Sequence, residues 1–178
     1  MRQVYLIRHC HPAIPAGVRM CLGRTDLPLS SRGLSEAQAL GKRFRQIPLS
    51  AVFTSPLTRC VETARCLSDT PVILAGLEEL DAGLWDGLTF DEIQARDPDL
   101  YHARGADPTL LPPEGESAES GLARFRAAME QAASMAEGDF AVVSHGGILS
   151  IYLEYLGLSR RKPAYGEVIP LPFSSFHL

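Results

Sequence analysis

The chain has 178 residues, 46% hydrophobic and 21% charged, enough for one domain whose core needs no disulfide or metal staple. Its 17 Lys and Arg against 21 Asp and Glu leave a formal net charge of −4, which argues against binding to a nucleic-acid backbone. No apolar run approaches the roughly 20 residues of a membrane span, and the opening MRQVYLIRHC lacks the apolar length and cleavage site of a secretory leader.

Taken in order, Val4-Tyr5-Leu6-Ile7 is a short, continuous apolar run that suits a strand buried on both faces. A Pro- and Gly-rich loop, Pro12 to Pro28, precedes Leu34, Ala37, Leu40, Phe44 and Ile47 at helical spacing, a helix opened near Ser30 or Ser31. Ala51-Val52-Phe53-Thr54 reads as a second buried strand. Ser55-Pro56 then reads as an N-cap with proline at the first helical position, opening a helix whose core stripe is Leu57, Val61, Ala64 and Leu67. Val72-Ile73-Leu74 is a third strand, and residues 89–96 a short helix closed by Asp97-Pro98. The polar, proline-rich stretch 97–116 reads as a long loop able to act as a lid. Leu122, Phe125, Met129, Ala132 and Ala136 mark a further amphipathic helix. Phe140-Ala141-Val142-Val143 is a fourth buried strand, followed by Ser144-His145-Gly146-Gly147 and a helix to about Leu156. One more strand is expected near 166–169 or 173–177. Strands alternating with helices give an α/β fold: a single domain over 1–178, a three-layer αβα sandwich with a mostly parallel central sheet. The four cysteines, Cys10, Cys21, Cys60 and Cys66, fall in no CxxC pair, so reduced thiols and a cytoplasmic location are expected.

In open α/β sheets, ligands bind beyond the carboxyl ends of the strands. Arg8 and His9 end the first strand, Arg59 lies one turn beyond the second, and His145 ends the fourth, so a parallel sheet brings them to one rim. Arg59 stands about 200° around its helix from Leu57, off the core stripe. It also lies near a helix N-terminus, where the dipole disfavours a cation. An anion shared with the free helix N–H groups would remove that conflict. A lone histidine after a strand, or a lone arginine near a helix start, is ordinarily structural. Two of each at one rim make a phosphate site, because the guanidinium fork matches phosphate oxygens. His9-Cys10-His11 also forms an H-x-H of the kind that serves as metal ligands in barrel hydrolases. The chain is short for such a barrel of about 250 residues, and no carboxylate-rich strand end supplies the remaining ligands.

At these residues the sequence resembles the histidine phosphatase superfamily, the phosphoglycerate-mutase-like proteins. Leu6-Ile7-Arg8-His9-Cys10 is similar to L-[IV]-R-H-G, and Gly23 to Gly33 to G-x-x-D-x-x-L-[ST]-x-x-G. Ser55 to Ala64 fits S-P-L-x-R-x-x-[EQ]-T-A, and Val143 to Gly147 fits V-[ST]-H-G-G. Two weaker blocks, Glu79 to Gly87 and Pro113 to Ser117, follow the same order. The resemblance implies a metal-free, cofactor-free phosphoryl transfer. His9 would be the nucleophile, Arg8, Arg59 and His145 the phosphoryl-oxygen ligands, and Glu79 the proton donor, with Glu78 as the register alternative.

The chain departs from the family pattern in two places. Cys10 replaces the usual glycine; it is either an inert small residue or an oxidation-sensitive thiol, if nearby cations stabilise its thiolate. The loop between His11 and Leu22 lacks the asparagine of the mutases, which favours hydrolysis over transfer back to substrate. The R-H-x-x-P start and the stretch Cys21 to Leu29 resemble α-ribazole phosphatases of cobalamin assembly, with Arg24 either a substrate contact or an exposed loop arginine. Three functions stay open: a phosphomonoesterase acting on a small phosphorylated substrate such as α-ribazole 5′-phosphate, a phosphoglycerate mutase, and a non-catalytic phosphate-binding module. Neither nucleic acid nor membrane is an expected partner; a homodimer is left open.

Overall fold

The computed structural model describes residues 2–176. Five strands, β1 (Gln3–Arg8), β2 (Ala51–Thr54), β3 (Val72–Ile73), β4 (Phe140–Ser144) and β5 (Val168–Pro172), form one sheet in the order β3-β2-β4-β1-β5. All neighbours run parallel except β5, which lies antiparallel on β1 with Ile7 opposite Val168. The helices are α1 (Ser31–Phe44), α2 (Thr58–Arg65), α3 (Phe90–Arg96), α4 (Pro98–Ala106), α5 (Ala118–Met135) and α6 (Gly146–Tyr155).

Side chains on a strand alternate faces, and here both faces are covered. Along β4, Phe140 and Val142 pack with Phe125, Met129, Ile148 and Tyr152 of α5 and α6. Ala141 and Val143 pack on the other face with Ala37, Leu40, Phe44, Cys60 and Ala64 of α1 and α2. Two apolar cores sandwich the sheet, which is the expected three-layer αβα architecture. Among the described residues no helix is long and apolar enough to cross a membrane.

Several expected boundaries shift. Helix α2 begins at Thr58 rather than at Pro56: its N-cap is Leu57, and Ser55 Oγ accepts the Leu57 N–H at 3.3 Å without capping the first turn. The carboxylate of Asp26, from the distant loop, takes the Thr58 N–H and hydroxyl, both at 2.7 Å, and so caps the helix in place of a local serine. The face that α2 buries is Arg59, Cys60, Thr63 and Ala64: Cys60 and Ala64 join the apolar core, Arg59 and Thr63 point to polar partners, and of the expected stripe Leu57 and Val61 are only half-buried. The stretch 97–116 is not wholly a loop, since Asp97-Pro98 closes α3 and also opens α4, with proline in its first turn. No side chain of α4 is buried, so it offers no apolar stripe for a sequence pattern to catch. The last strand occupies 168–172, overlapping the first expected range, 166–169, and running beyond it; 173–175 form a 3-10 turn, and residue 177 lies outside the described residues.

Candidate active site

The parallel strands β1, β4 and β2 end side by side, and the His9 and Ser55 N–H groups donate to the Ser144 and Val143 carbonyls at 2.9 and 3.0 Å. That register sets His9 and His145 edge to face, ring centroids 5.2 Å apart, with Arg8 and Arg59 beside them. All four side chains are buried; Arg59 and His145 are wholly inaccessible. The structure therefore assembles Arg8, His9, Arg59 and His145 at one rim, as the sequence implied.

Each group has a defined hold. His9 Nδ1 lies 2.8 Å from the Cys10 carbonyl oxygen, an acceptor only, which assigns the proton to Nδ1 and the lone pair to Nε2. His145 Nε2 lies 2.8 Å from Ser55 Oγ. Arg59 donates through Nη1 to the Thr25 carbonyl (2.8 Å) and through Nη2 to the Gly23 carbonyl (2.7 Å). Arg8 donates through Nη1 to the Pro163 carbonyl at 2.6 Å. The Nε–H groups of both arginines are buried without an acceptor among the described residues. An unpaired buried donor ordinarily costs about 1–3 kcal/mol, so these two leave the cluster with donors that an anion could take up.

Burial, and then the charge of Arg59, holds His9 well below the ordinary histidine value of 6.5. Burial likewise lowers His145, reinforced by His9 and Arg59. Both rings are therefore neutral at neutral pH, as a nucleophile requires. Burial also pulls both guanidinium groups down from 12.5, with Glu79 acting in the opposite sense on each.

Glu79 is buried beside this cluster. Its carboxylate accepts from the Gly147 and Ile148 N–H groups at the start of α6, both at 2.8 Å. A Cβ at Gly147 would stand 2.7 Å from Glu79 Oε1, so any other residue there would push the carboxylate out of this seat. Glu78, the register alternative, instead turns toward Arg124, 3.7 Å away, and caps the Gly76 N–H. Arg124 braces the whole turn, donating to the carbonyls of Gly76, Glu78 and Glu79 and to both Glu116 oxygens.

The motif residues act as ties. Asp86 accepts from the N–H groups of Gly23, Arg24 and Thr25, which aims the Gly23 and Thr25 carbonyls at Arg59. Glu62 takes the Leu29 N–H, and Thr63 the Cys10 N–H. Arg24 is half-exposed and pairs with Asp81 and Glu116 rather than with the basic cluster. Cys10 is buried, and burial pushes its thiol up to about 11; this favours the inert small residue over the stabilised thiolate.

A cavity of about 210 Å³ opens beside Glu79 and Gly147. Its apolar wall includes Met20, Leu22, Phe90, Leu111, Pro112 and Ile151, and Arg104, Arg160 and Lys162 also line it. Sequence reasoning missed Ser55 as a partner of His145, Arg124 as the brace of Glu79, and Lys162 and Tyr165 near His9. Of these, Ser55 lies in a motif that could have flagged it; Arg124 stands on the polar side of a helix whose period shows only its apolar face, and Lys162 and Tyr165 stand in a stretch without a pattern.

The family model described as histidine phosphatase superfamily (branch 1) matches residues 4–168. A bifunctional protein of Mycobacterium tuberculosis (strain H37Rv) is 34% identical over 149 residues, covering 80% of this chain and 41% of that protein. The chain thus spans about two fifths of the length of the first curated relatives that it matches. A probable phosphoglycerate mutase GpmB of Enterobacter sp. (strain 638) is 31% identical over 175 residues, 94% of this chain and 79% of that protein. The solved structure of a mycobacterial glucosyl-3-phosphoglycerate phosphatase superposes with a TM-score of 0.81 at 25% identity, covering 95% of this chain and 89% of that one. With a family model matching nearly its whole length, and with the motif residues gathered at one rim of the sheet, this chain belongs to the histidine phosphatase superfamily, branch 1.

Proposed function

We propose that this protein is a phosphomonoesterase working through a phosphohistidine on His9. The observation that carries this reading is the pair of acceptor-less Nε–H groups on Arg8 and Arg59, buried beside two uncharged imidazoles. A phosphoryl dianion satisfies both donors at once. The cycle begins with Glu79 protonated: His9 Nε2 attacks phosphorus in line, the ester P–O bond breaks, and Glu79 passes its proton to the departing alcohol. Arg8, Arg59 and His145 hold the equatorial oxygens, where negative charge must be neutralised through the transition state. Glu79, now a carboxylate, takes a proton from the water that cleaves the P–N bond, and inorganic phosphate leaves. Every step uses groups of the chain itself, so neither metal nor cofactor is needed.

The alcohol is released on the Glu79 side, into the cavity walled by Met20, Phe90 and Ile151. That wall offers a ring-bearing alcohol apolar contact, with Arg104, Arg160 and Lys162 on the same lining for its polar groups. It agrees with the finer reading, α-ribazole 5′-phosphate in cobalamin assembly, which rests on the likeness of residues 21–29. Phosphate release without added metal from p-nitrophenyl phosphate, α-ribazole 5′-phosphate, 3-phosphoglycerate and sugar phosphates tests this. His9-dependent release that favours the ring-bearing ester is expected. Isomerisation of phosphoglycerate that needs a bisphosphate primer would mean a mutase, and phosphate binding with no release would mean a binding module.

A further inference from the structure

We propose that Tyr165 is a positioning residue that fixes the Arg8 guanidinium so that its Nε faces the phosphoryl group. The inference rests on the reading of Arg8 as a phosphoryl ligand, and it concerns a segment that no sequence motif covers.

The fold explains how so distant a residue reaches the site. Because β5 runs antiparallel to β1, with Val168 opposite Ile7, the residues just before Val168 arrive at the carboxyl end of β1. There the Gly166 N–H donates to the Arg8 and His9 carbonyls at 3.1 and 3.2 Å, and the Arg8 N–H donates to the Glu167 carbonyl at 3.1 Å. Gly166 has a φ of +68°, and a Cβ there would stand 3.3 Å from Cys10 Sγ, so the segment lies directly on the nucleophile's loop.

With the backbone anchored this way, the Tyr165 ring covers the Arg8 guanidinium: Cζ lies 3.8 Å from the ring centroid. The Pro163 carbonyl takes Nη1 of the same group at 2.6 Å. A face and one edge of the guanidinium plane are thus fixed by residues two apart in sequence, while Nε stays without an acceptor. The same ring flanks His9 and His11, with centroids 5.5 and 4.9 Å away, so it also closes that side of the nucleophile. An unclamped arginine must give up several torsions when the anion binds; this one gives them up on folding, which raises affinity without adding a contact to the ligand. The attraction between guanidinium and aromatic face is strongest where both are withdrawn from water, as Arg8 is.

The test is calorimetric binding of inorganic phosphate to wild type, Tyr165→Phe, Tyr165→Leu, Arg8→Ala and the Arg8→Ala/Tyr165→Leu double variant, with melting temperatures measured alongside. The Phe variant keeps the ring and should bind within about threefold of wild type. The Leu variant should bind about tenfold more weakly with its melting temperature nearly unchanged. On the Arg8→Ala background the Leu substitution should cost far less than on wild type, since Arg8 is the phosphoryl ligand that the ring holds most closely. Equal binding by the Leu variant and wild type, or an equal loss with and without Arg8, would overturn the inference. Tyr165-dependent binding by a protein that turns over no ester would sink the phosphatase reading and leave this one standing. A wild-type protein that binds no phosphate would sink both.

Discussion

With Nδ1 facing the Cys10 carbonyl, the His9 ring keeps its lone pair on Nε2, and its burial beside two guanidinium groups keeps that lone pair unprotonated. The same arrangement has a cost that depends on pH. Both His9 and His145 sit well below 6.5 in the folded chain, burial being the first cause for each. The unfolded chain takes up these protons as pH falls through about 6.5, and the folded chain only further down. Their contribution to stability is therefore complete above that value and is lost as pH falls below it. Urea unfolding between pH 8 and pH 5 should show stability falling on the acid side, with a shallower slope in His9→Asn. Inorganic phosphate should raise the His9 titration observed by NMR, because a bound dianion favours imidazolium. A His9 that titrates at or above 6.5 without phosphate would contradict this account of the site.

At the scale of elements, the first turn of α6 does the work expected of a helix N-terminus, but for a side chain of the protein itself. Two of its N–H groups seat the Glu79 carboxylate, and the bare Cα of Gly147 lets it approach. Glu79→Gln should slow esters with poor leaving groups by about a hundredfold or more and p-nitrophenyl phosphate far less. Gly147→Ala, which drives a methyl into that carboxylate, should reproduce the same leaving-group dependence with only a small loss of stability. Equal losses on good and poor leaving groups would remove Glu79 from the role of acid. The elements with strong apolar periodicity, β1, β2, β4, α1 and α5, were legible in the sequence, as were His9 and the cations gathered around it. What was not legible was set by tertiary contacts. The start of α2 is fixed by Asp26 from another loop, α4 has no buried face to show a period, and Tyr165 reaches Arg8 only through the antiparallel return of β5. The helix-terminus anion site expected at α2 is taken instead by the Asp26 carboxylate.

For the molecule as a whole, the sheet order β3-β2-β4-β1-β5 sets Arg8, His9, Ser55 and His145 on three adjacent strand ends, while the two apolar cores hold those ends rigid. Rigidity matters because the two buried Nε–H groups must meet a phosphoryl group without rearranging. On the proposed reading, the cavity beside Glu79 is where the alcohol leaves.

The most direct measurement is acid-free, rapid-quench mass spectrometry of the enzyme during turnover of a phosphate monoester. A phosphoryl adduct should appear on His9, formed faster than phosphate is released, lost in acid and absent from His9→Ala. Turnover with no adduct, or with the phosphoryl group on any other residue, would contradict the phosphohistidine mechanism.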